Sequence, residues 1–454
     1  MITALPDSWL ETKLGQVIDY GATVKVEPEQ IAQDAWILEL EDIEKDSSKV
    51  VNRFNFAERK SKSTKNRFAK GDVLYGKLRP YLNKVVLADA DGYCTTEIVP
   101  IKQTPATDNR FVFYWLKHPV FAAYAAEVSH GLNMPRLGTE AGKKAPFVLA
   151  PLSEQTRVAD KLDTLLARVD AARQRLDRVP ALLKRFRQSV LAAATSGGLT
   201  EDWRDGKEAK WDYLRADDVC AKVQSGGTPK EGFSKKGVPF LKVYNIIDQQ
   251  VSFDYRPQYI TEAIHHGSMA KSITKPGDVL MNIVGPPLGK VAIVPDANAE
   301  WNINQAITLF RPSERISTGW LYYVLCGGKN IEDIILETKG MVGQQNISLS
   351  QCRNFVFPVP PPKEQAEIVR RVEALFALAD KMQAQHETAS ARVDKLISAL
   401  LAKAFRGELV PQDPSDEPAE KLLERLRAGK AGDTKPMKNG RKSPEVHQKR
   451  RKVS

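Results

Sequence analysis

The stretch Pro151-Leu-Ser-Glu154-Gln155 returns as Pro361-Pro-Lys-Glu364-Gln365, 210 residues further on. At that spacing, with no gap, Leu165 meets Leu375, Asp170 meets Asp380, and Leu191-Ala192 meet Leu401-Ala402. The copies also end alike, Gly197-Gly-Leu199 against Gly407-Glu-Leu409. An internal repeat of this length decides the architecture before any single residue is weighed. Apolar residues step by alternating four and three through Val158, Leu162, Leu165, Val169, Ala172, Leu176, Val179, Leu183, Phe186 and Val190. They do so again through Ile368, Val372, Leu375, Ala379, Met382, His386, Ala389, Val393, Leu396 and Leu400. Such a heptad seam, held over about five repeats, predicts a coiled-coil helix in each copy. Each helix, about 40 residues, would reach on the order of 60 Å at 1.5 Å per residue. Pro180 should kink the first helix or cost it about 3 kcal/mol. His386, on the second seam, reads as a packed or register-setting polar residue.

The longer segments ahead of each helix repeat more faintly. Trp9 and Val17 pair with Trp211 and Val219; Leu38-x-Leu40-x-x-Ile43 pairs with Leu241-x-Val243-x-x-Ile246. Lys70-Gly71-Asp72-Val73-Leu74 pairs with Pro276-Gly277-Asp278-Val279-Leu280, and Pro80-x-Leu82-x-Lys84-Val85 with Pro286-x-Leu288-x-Lys290-Val291. The offset only grows along the chain, as accumulated loop insertions produce. The order is therefore globule, helix, globule, helix: 1–150, 151–200, 201–360 and 361–410, followed by 411–454. Each globule reads as mixed α/β, an α+β class overall. Short strands are predicted at Val73–Tyr75, Val85–Leu87, Val279–Met281 and Val291–Val294, punctuated by Gly-Asp and Pro turns. One helix is predicted over Asn109–Ala126 and its counterpart over Thr318–Leu325. Beyond Gly407 come a Pro-rich connector, a short amphipathic helix near Glu417–Ala428, and a tail of disordered composition.

Composition narrows the class. With 42% hydrophobic and 27% charged residues, the chain has the makings of packed domains, and 454 residues exceed one core. No run of eighteen apolar residues exists and Met1 opens no basic-then-apolar leader, so a cytosolic protein off the membrane is expected. Cys94, Cys220, Cys326 and Cys352 are scattered, with no Cys-x-x-Cys and no histidine nearby in sequence. Disulfides, metal and cofactor sites are therefore not expected. The net charge of +11 says little about a nucleic-acid partner, because nine Lys/Arg against two acids fall between Lys430 and Ser454. Local clusters must carry that case.

No catalytic pattern stands out. A methyltransferase Asp/Asn-Pro-Pro-Tyr/Phe motif is missing. Gly285-Pro-Pro-Leu-Gly289-Lys290-Val291 mimics a phosphate loop but is short, lacks the Ser/Thr, and spends two backbone donors on proline. Asp7 with Glu11-x-Lys13 is too cramped for a nuclease metal site. Binding features are better. Arg59, Lys60, Lys62, Lys65, Arg67 and Lys70 put six cations in twelve residues with no acid, which suits phosphate contact; a solvated basic loop fits the same pattern. Lys77, Arg79 and Lys84 follow on a hairpin, from which Arg79 could reach a guanine edge. In the second globule Thr228, Lys230, Lys235, Lys236 and Lys290 make a weaker basic set. Gln344, Gln345 and Asn346 gather amides of the kind that read adenine, matched in the first globule by Asn133 and Arg136. A polar structural turn fits either stretch equally.

Two diverged globules, each followed by a helix opened by Pro-x-x-Glu-Gln, resemble the specificity subunit of type I restriction–modification enzymes. Phe68-Ala-Lys-Gly-Asp-Val-Leu-Tyr-Gly-Lys-Leu-Arg-Pro-Tyr-Leu-Asn-Lys84 is similar to a stretch of that family's target-recognition domains, and Phe405-Arg-Gly-Glu-Leu-Val-Pro-Gln-Asp413 to the end of its second helix. Only the tail after about Ala428 falls outside the resemblance. It implies a non-catalytic subunit whose two domains each read half of a bipartite target in double-stranded DNA, spaced by helices paired antiparallel. It also implies methyltransferase and motor–nuclease partners, which would carry S-adenosylmethionine, ATP and Mg. Ser196-Gly-Gly-Leu-Thr200 departs from Arg406-Gly-Glu-Leu-Val410, which implies asymmetric docking. A self-sufficient DNA enzyme and a coiled-coil protein adaptor remain the alternatives.

Overall fold

A computed structural model describes residues 5–131, 133–337 and 346–432. Gln344, Gln345 and the basic tail from residue 433 lie outside the described residues. The chain divides into two compact units, one of Met1–Arg175 with Ala389–Ser454, the other of Leu176–Thr388. Each unit is thus one globule with part of both long helices.

In the first unit Leu10–Lys13 pairs antiparallel with Pro146–Leu149, closing the globule where it begins and ends. Between them Val73–Gly76 is flanked by Val85–Leu87 and Ile98–Ile101, both antiparallel, in a sheet buried along nearly its whole length. A second sheet runs Val24–Val26, Lys65–Phe68, Gly92–Thr95, Trp36–Leu38, Phe54–Asn55, with Trp36–Leu38 parallel to Gly92–Thr95. The second unit repeats this plan. Asp212–Arg215 pairs with Val356–Val359, Val279–Asn282 lies between Val291–Ile293 and Ile307–Pro312, and Val238–Leu241 is parallel to Asn302–Ile303. The strands Val73–Gly76, Ile98–Ile101 and Val279–Asn282 are almost wholly apolar because both faces are covered, whereas Leu10–Lys13 keeps the polar alternation of a half-exposed strand.

Two sequence expectations need correction. The helix predicted over Asn109–Ala126 is two, Asn109–Leu116 and Pro119–Glu127. Pro119 has no N–H to continue the first and pushes His118 to an extended conformation (φ −67°, ψ 139°), where its Nδ1 caps Val120 N. The first long helix breaks where Pro180 was expected to kink it, into Leu152–Leu176 and Val179–Ser196, with Pro180 placed in the first turn of the second piece, where proline is tolerated. The second long helix is continuous over 44 residues, Pro362–Phe405.

The second correction concerns the seam. Within the first unit Arg173 pairs with Asp394, and Val158 and Leu162 share a core cluster with Leu401 and Phe405; within the second Arg187 pairs with Asp380 and His386 Nε2 lies 3.0 Å from Leu176 O. As one helix number rises the other falls, so the helices run antiparallel in each unit. Leu162, Val169, Leu183 and Val372 are buried, and Leu165, Leu176, Leu375, Val393 and Leu400 partly so. Phe186, Met382 and Leu396, expected in the seam, are instead 36%, 47% and 45% exposed. The seam's buried edge also packs against the globule, joined by Leu191, Ala194, Leu401, Ala404 and Phe405 from outside the heptad pattern. Two helices supply no third wall for the other edge.

The repeated Glu-Gln that opens each helix is a clasp between helix and globule. Glu154 accepts from Trp9 Nε1 (2.8 Å) and Glu364 from Trp211 Nε1 (3.0 Å). Gln155 Nε2 donates to Ala106 O and Ala150 O while its Oε1 accepts from Asp108 N; Gln365 makes the same three bonds to Arg315 O, Pro360 O and Ser317 N. These four side chains are buried, so each lost bond would leave an unpaired polar group, typically at about 1–3 kcal/mol. That cost explains why the pair stands out in both copies.

Candidate nucleic-acid interface

The register of the strands decides which loops meet. Lys65 is opposite Thr95, and Gly76 opposite Ile98, so the loop before Lys65, the turn Thr96-Glu97 and the hairpin tip after Gly76 share one end of the first globule. Lys77 N donates to Glu97 O, Arg79 N to Pro135 O, and Leu137 N to Lys77 O. An isolated bridge joins Leu78 to Arg136. Arg136 Nε reaches Glu97 Oε2 at 2.9 Å, and Arg79 and Asn133 are exposed beside it.

The second globule has the same construction. Leu241 is opposite Ile303 and Asn282 opposite Ile307, so Asn304-Gln305 occupies the place of Thr95-Thr96. Val284 bridges Asn346 as Leu78 bridges Arg136, which makes Asn346 the structural counterpart of Arg136. Thr228 Oγ1 donates to Gln305 Oε1 at 2.5 Å. The Gly226 backbone lies so close to its neighbours that a Cβ there would come within 2.1 Å of Ile303 O, which accounts for a glycine at this position. Lys290 sits opposite Asn282, whose buried amide bonds Pro287 O and Lys290 N and so fills the middle of the Gly285–Lys290 loop. A phosphate would find that centre occupied.

The basic run Arg59–Lys70 does not form one patch, because strand Lys65–Phe68 passes through it. Lys60 and Lys62 are exposed ahead of the strand, at the end shared with Glu97; Lys70 lies beyond it at the opposite end, its N bonded to Asp91, and Arg67 is exposed between. Two residues are corrected outright. Lys65 is 2% exposed with Nζ 2.8 Å from Glu39 and 2.9 Å from Ser63 Oγ, and Arg59 is held by Glu41 and Asp42. A buried ammonium must find its counter-charge inside the fold, and Glu39 supplies it. Lys84 Nζ is taken up by Leu40 O. In the second globule Lys230 is exposed after Thr228, whereas Lys235 and Lys236 lie at the start of strand Val238–Leu241, at its far end from Gln305. Glu97, Asn304 and Gln305 were missed in the sequence; the aligned stretches Cys94-Thr-Thr-Glu-Ile98 and Ile303-Asn-Gln-Ala-Ile307 held the signal.

Nucleophilic and metal chemistry finds little here. All four cysteines are free thiols, and burial pushes Cys220, Cys326 and Cys352 up to about 12, away from the reactive thiolate. His265, His266 and Glu300 lie close enough to suggest a metal. Asn302 Oδ1, however, accepts from Ser272 Oγ and Ile303 N, which turns its Nδ2 toward His265 Nδ1 at 3.1 Å. His265 Nδ1 is then the acceptor, and Nε2 carries the proton given to Glu300 at 3.0 Å. An ion would have to displace that proton, so His265 and Glu300 fit a hydrogen-bond chain with Asn302 and Ser272, and not a metal, while His266 is exposed beside them.

Residues 208–388 match the model of the type I restriction modification DNA specificity domain. The chain is 32% identical over 348 residues to the type I restriction enzyme EcoBI specificity subunit of Escherichia coli, covering 71% of this chain and 72% of that protein. It is 31% identical, with the same coverage, to the EcoKI specificity subunit of Escherichia coli strain K12. The fold is similar to that of the HsdS subunit from Thermoanaerobacter tengcongensis, with a TM-score of 0.61, 22% identity, and 89% and 98% of the two chains covered. It is likewise similar to a chain from a study of type I R-M complex assembly and conformational transition, with a TM-score of 0.66, 20% identity, and 89% and 99% covered. Among the described residues no helix is long and apolar enough to cross a membrane. With this repeat, this doubled fold and these relatives, the chain belongs to the type I restriction enzyme specificity subunits.

Proposed function

We propose that this chain is the non-catalytic subunit that chooses DNA sequence for a type I restriction–modification complex, each unit reading one half of a bipartite target. The observation that carries this is the contrast between frame and tip. The Trp–Glu and Gln clasps are the same in both units, bond for bond, while the tips at the equivalent sheet ends differ: Arg79, Arg136 and Glu97 in one, Thr228, Gln305 and Asn346 in the other. A protein that holds two readers in one frame needs that pattern. Lys60, Lys62, Lys77, Lys230 and Lys290 would meet phosphates and set position, and the amides, Arg136 and Arg79 would meet base edges. The complex would work in the cytoplasm on the chromosome, with S-adenosylmethionine, ATP and Mg on its partner subunits.

Methyltransferase subunits would dock on the helices, with motor–nuclease subunits joining for cleavage. In the second unit Leu182, Phe186, Leu378 and Met382 are 53%, 36%, 45% and 47% exposed, spaced four apart on their helices. A row of that spacing suits an apolar helix of the methyltransferase. Affinity capture with the methyltransferase subunit of the same host tests this. The wild-type chain should bring it down, and Phe186→Glu with Met382→Glu should lose it while keeping its circular dichroism. The purified chain alone should bind DNA without methylating or cleaving it. Turnover by the isolated chain would favour an enzyme, and absence of any DNA binding by the captured complex would favour a protein adaptor.

A further inference from the structure

We infer that Glu97, oriented by Arg136, determines specificity in the first half-site by accepting a hydrogen bond from an exocyclic base amine. This rests on the DNA-reading function proposed above. A carboxylate that reaches solvent is out of place among cations meant for phosphates. Its side chain is 26% exposed, and it stands beside Lys77 and Arg79 at the end of the sheet that also carries Lys60 and Lys62. Close to phosphates it would repel the ligand; it is useful only where it meets a base edge. In the major groove cytosine N4 and adenine N6 present donors, and a carboxylate accepts from either.

The geometry supplies the orientation. Arg136 donates from Nε to Glu97 Oε2, and its Nη1 lies 3.4 Å from Met134 O, so one guanidinium ties the carboxylate to the loop that follows Gly131. This leaves Oε1 without a bond to any described residue. Glu97 itself is fixed at the backbone, its carbonyl accepting from Lys77 N. A carboxylate with one oxygen clamped and the other open is preorganised to accept.

The second unit shows that the frame does not require this pair. Ala306 stands in the place of Glu97 and Asn346 in that of Arg136, while the strand register around them is unchanged. An ion pair needed for folding would have a replacement bridge there, and Ala306 provides none. The position therefore varies with what each unit reads.

The test is methylome sequencing of a methylation-free host carrying the methyltransferase subunit with wild-type chain, Glu97→Gln, Glu97→Ala or Arg136→Ala. Glu97→Gln keeps the shape and gives the open position a donor as well as an acceptor, so it should fold as the wild type. The inference expects one position of the first half-site to relax or change in the Gln and Ala variants. Discrimination there should fall roughly 10- to 100-fold, with the second half-site and the gap unchanged. Arg136→Ala should weaken the same position. Both Glu97 variants methylating the wild-type sequence alone, at wild-type efficiency, would overturn the inference and leave a structural ion pair. Loss of the second half-site as well, or a lowered melting temperature for Glu97→Gln, would overturn it equally. If the wild-type complex yields no bipartite motif, the DNA-reading function fails first, independently of Glu97.

Discussion

If the paired helices hold the two readers apart, lengthening both by one heptad should widen the gap in the DNA target and change nothing else. Insertion after Ala172 in one helix and after Met382 in the other keeps the seam in phase. The register marks Arg173–Asp394 and Arg187–Asp380 put Ala172 opposite Lys395 and Met382 opposite Arg185, so the stretch between the two points re-pairs one heptad out while both helices lengthen equally and the seam stays in phase. Seven residues at 1.5 Å add about 10.5 Å of helix. Along the duplex that is about three base pairs at 3.4 Å each. Neither insertion touches the Glu154 or Glu364 clasps, so both readers should keep their bases. Methylome sequencing with the methyltransferase partner reports half-sites and gap together. Unchanged half-sites around a gap about three base pairs longer is the expected result. A fixed gap with full methylation would refute the ruler, and altered half-sites would refute independent readers. Insertion in one helix alone should abolish methylation, since it leaves seven residues unpaired.

The remaining predictions concern single sites. Lys60→Ala with Lys62→Ala removes two exposed cations, so the slope of log affinity against log salt should drop by about 1.8; an unchanged slope would mean a solvated loop. Lys65→Ala should instead destabilise the first unit by roughly 3 kcal/mol in denaturant melts with little change in salt slope, because it strands Glu39 beside the core. Phe405 packs edge-on against Phe111 (4.8 Å) and Trp115 (5.0 Å), and Phe405→Ala should cost about 3–5 kcal/mol in the same melts. Burial, with the Arg406 charge adding to it, lowers His118 to about 4. Its folded value lies below its unfolded one, so its contribution is full above about pH 6.5 and is lost as pH falls toward 4. That amounts to roughly 2 kcal/mol after solvent screening. His118→Asn keeps a cap without titrating, and its pH–stability curve should be flatter over that window; parallel curves would refute the assignment.

What the sequence made legible follows from which signals are local. The Glu-Gln openers, the seam and the Gly-Asp turns recur at fixed spacing, so the doubled plan and the four predicted strands could be read directly, and Pro180 announced the helix break. What each seam residue touches could not be read, because periodicity cannot tell a helix edge facing the globule from one facing away; Phe186, Met382 and Leu396 fall on the second kind. Charge density likewise carried no sign of direction. Lys65 looked like its neighbours until strand pairing turned it inward to Glu39. Glu97 and Gln305 were hidden for the opposite reason: each gains meaning only from loops about 40 or more residues away that strand register brings beside it, Arg136 for one and Thr228 for the other.

The central claim is that this chain, and not its enzyme partners, supplies the sequence. It is tested most directly by sequencing the methylome of a methylation-free host that carries the methyltransferase subunit with or without this chain. The expected result is a single bipartite motif, two defined half-sites around a fixed gap, in cells with the chain and no motif in cells without it. The same motif appearing without the chain, or one continuous site in place of two separated halves, would contradict it.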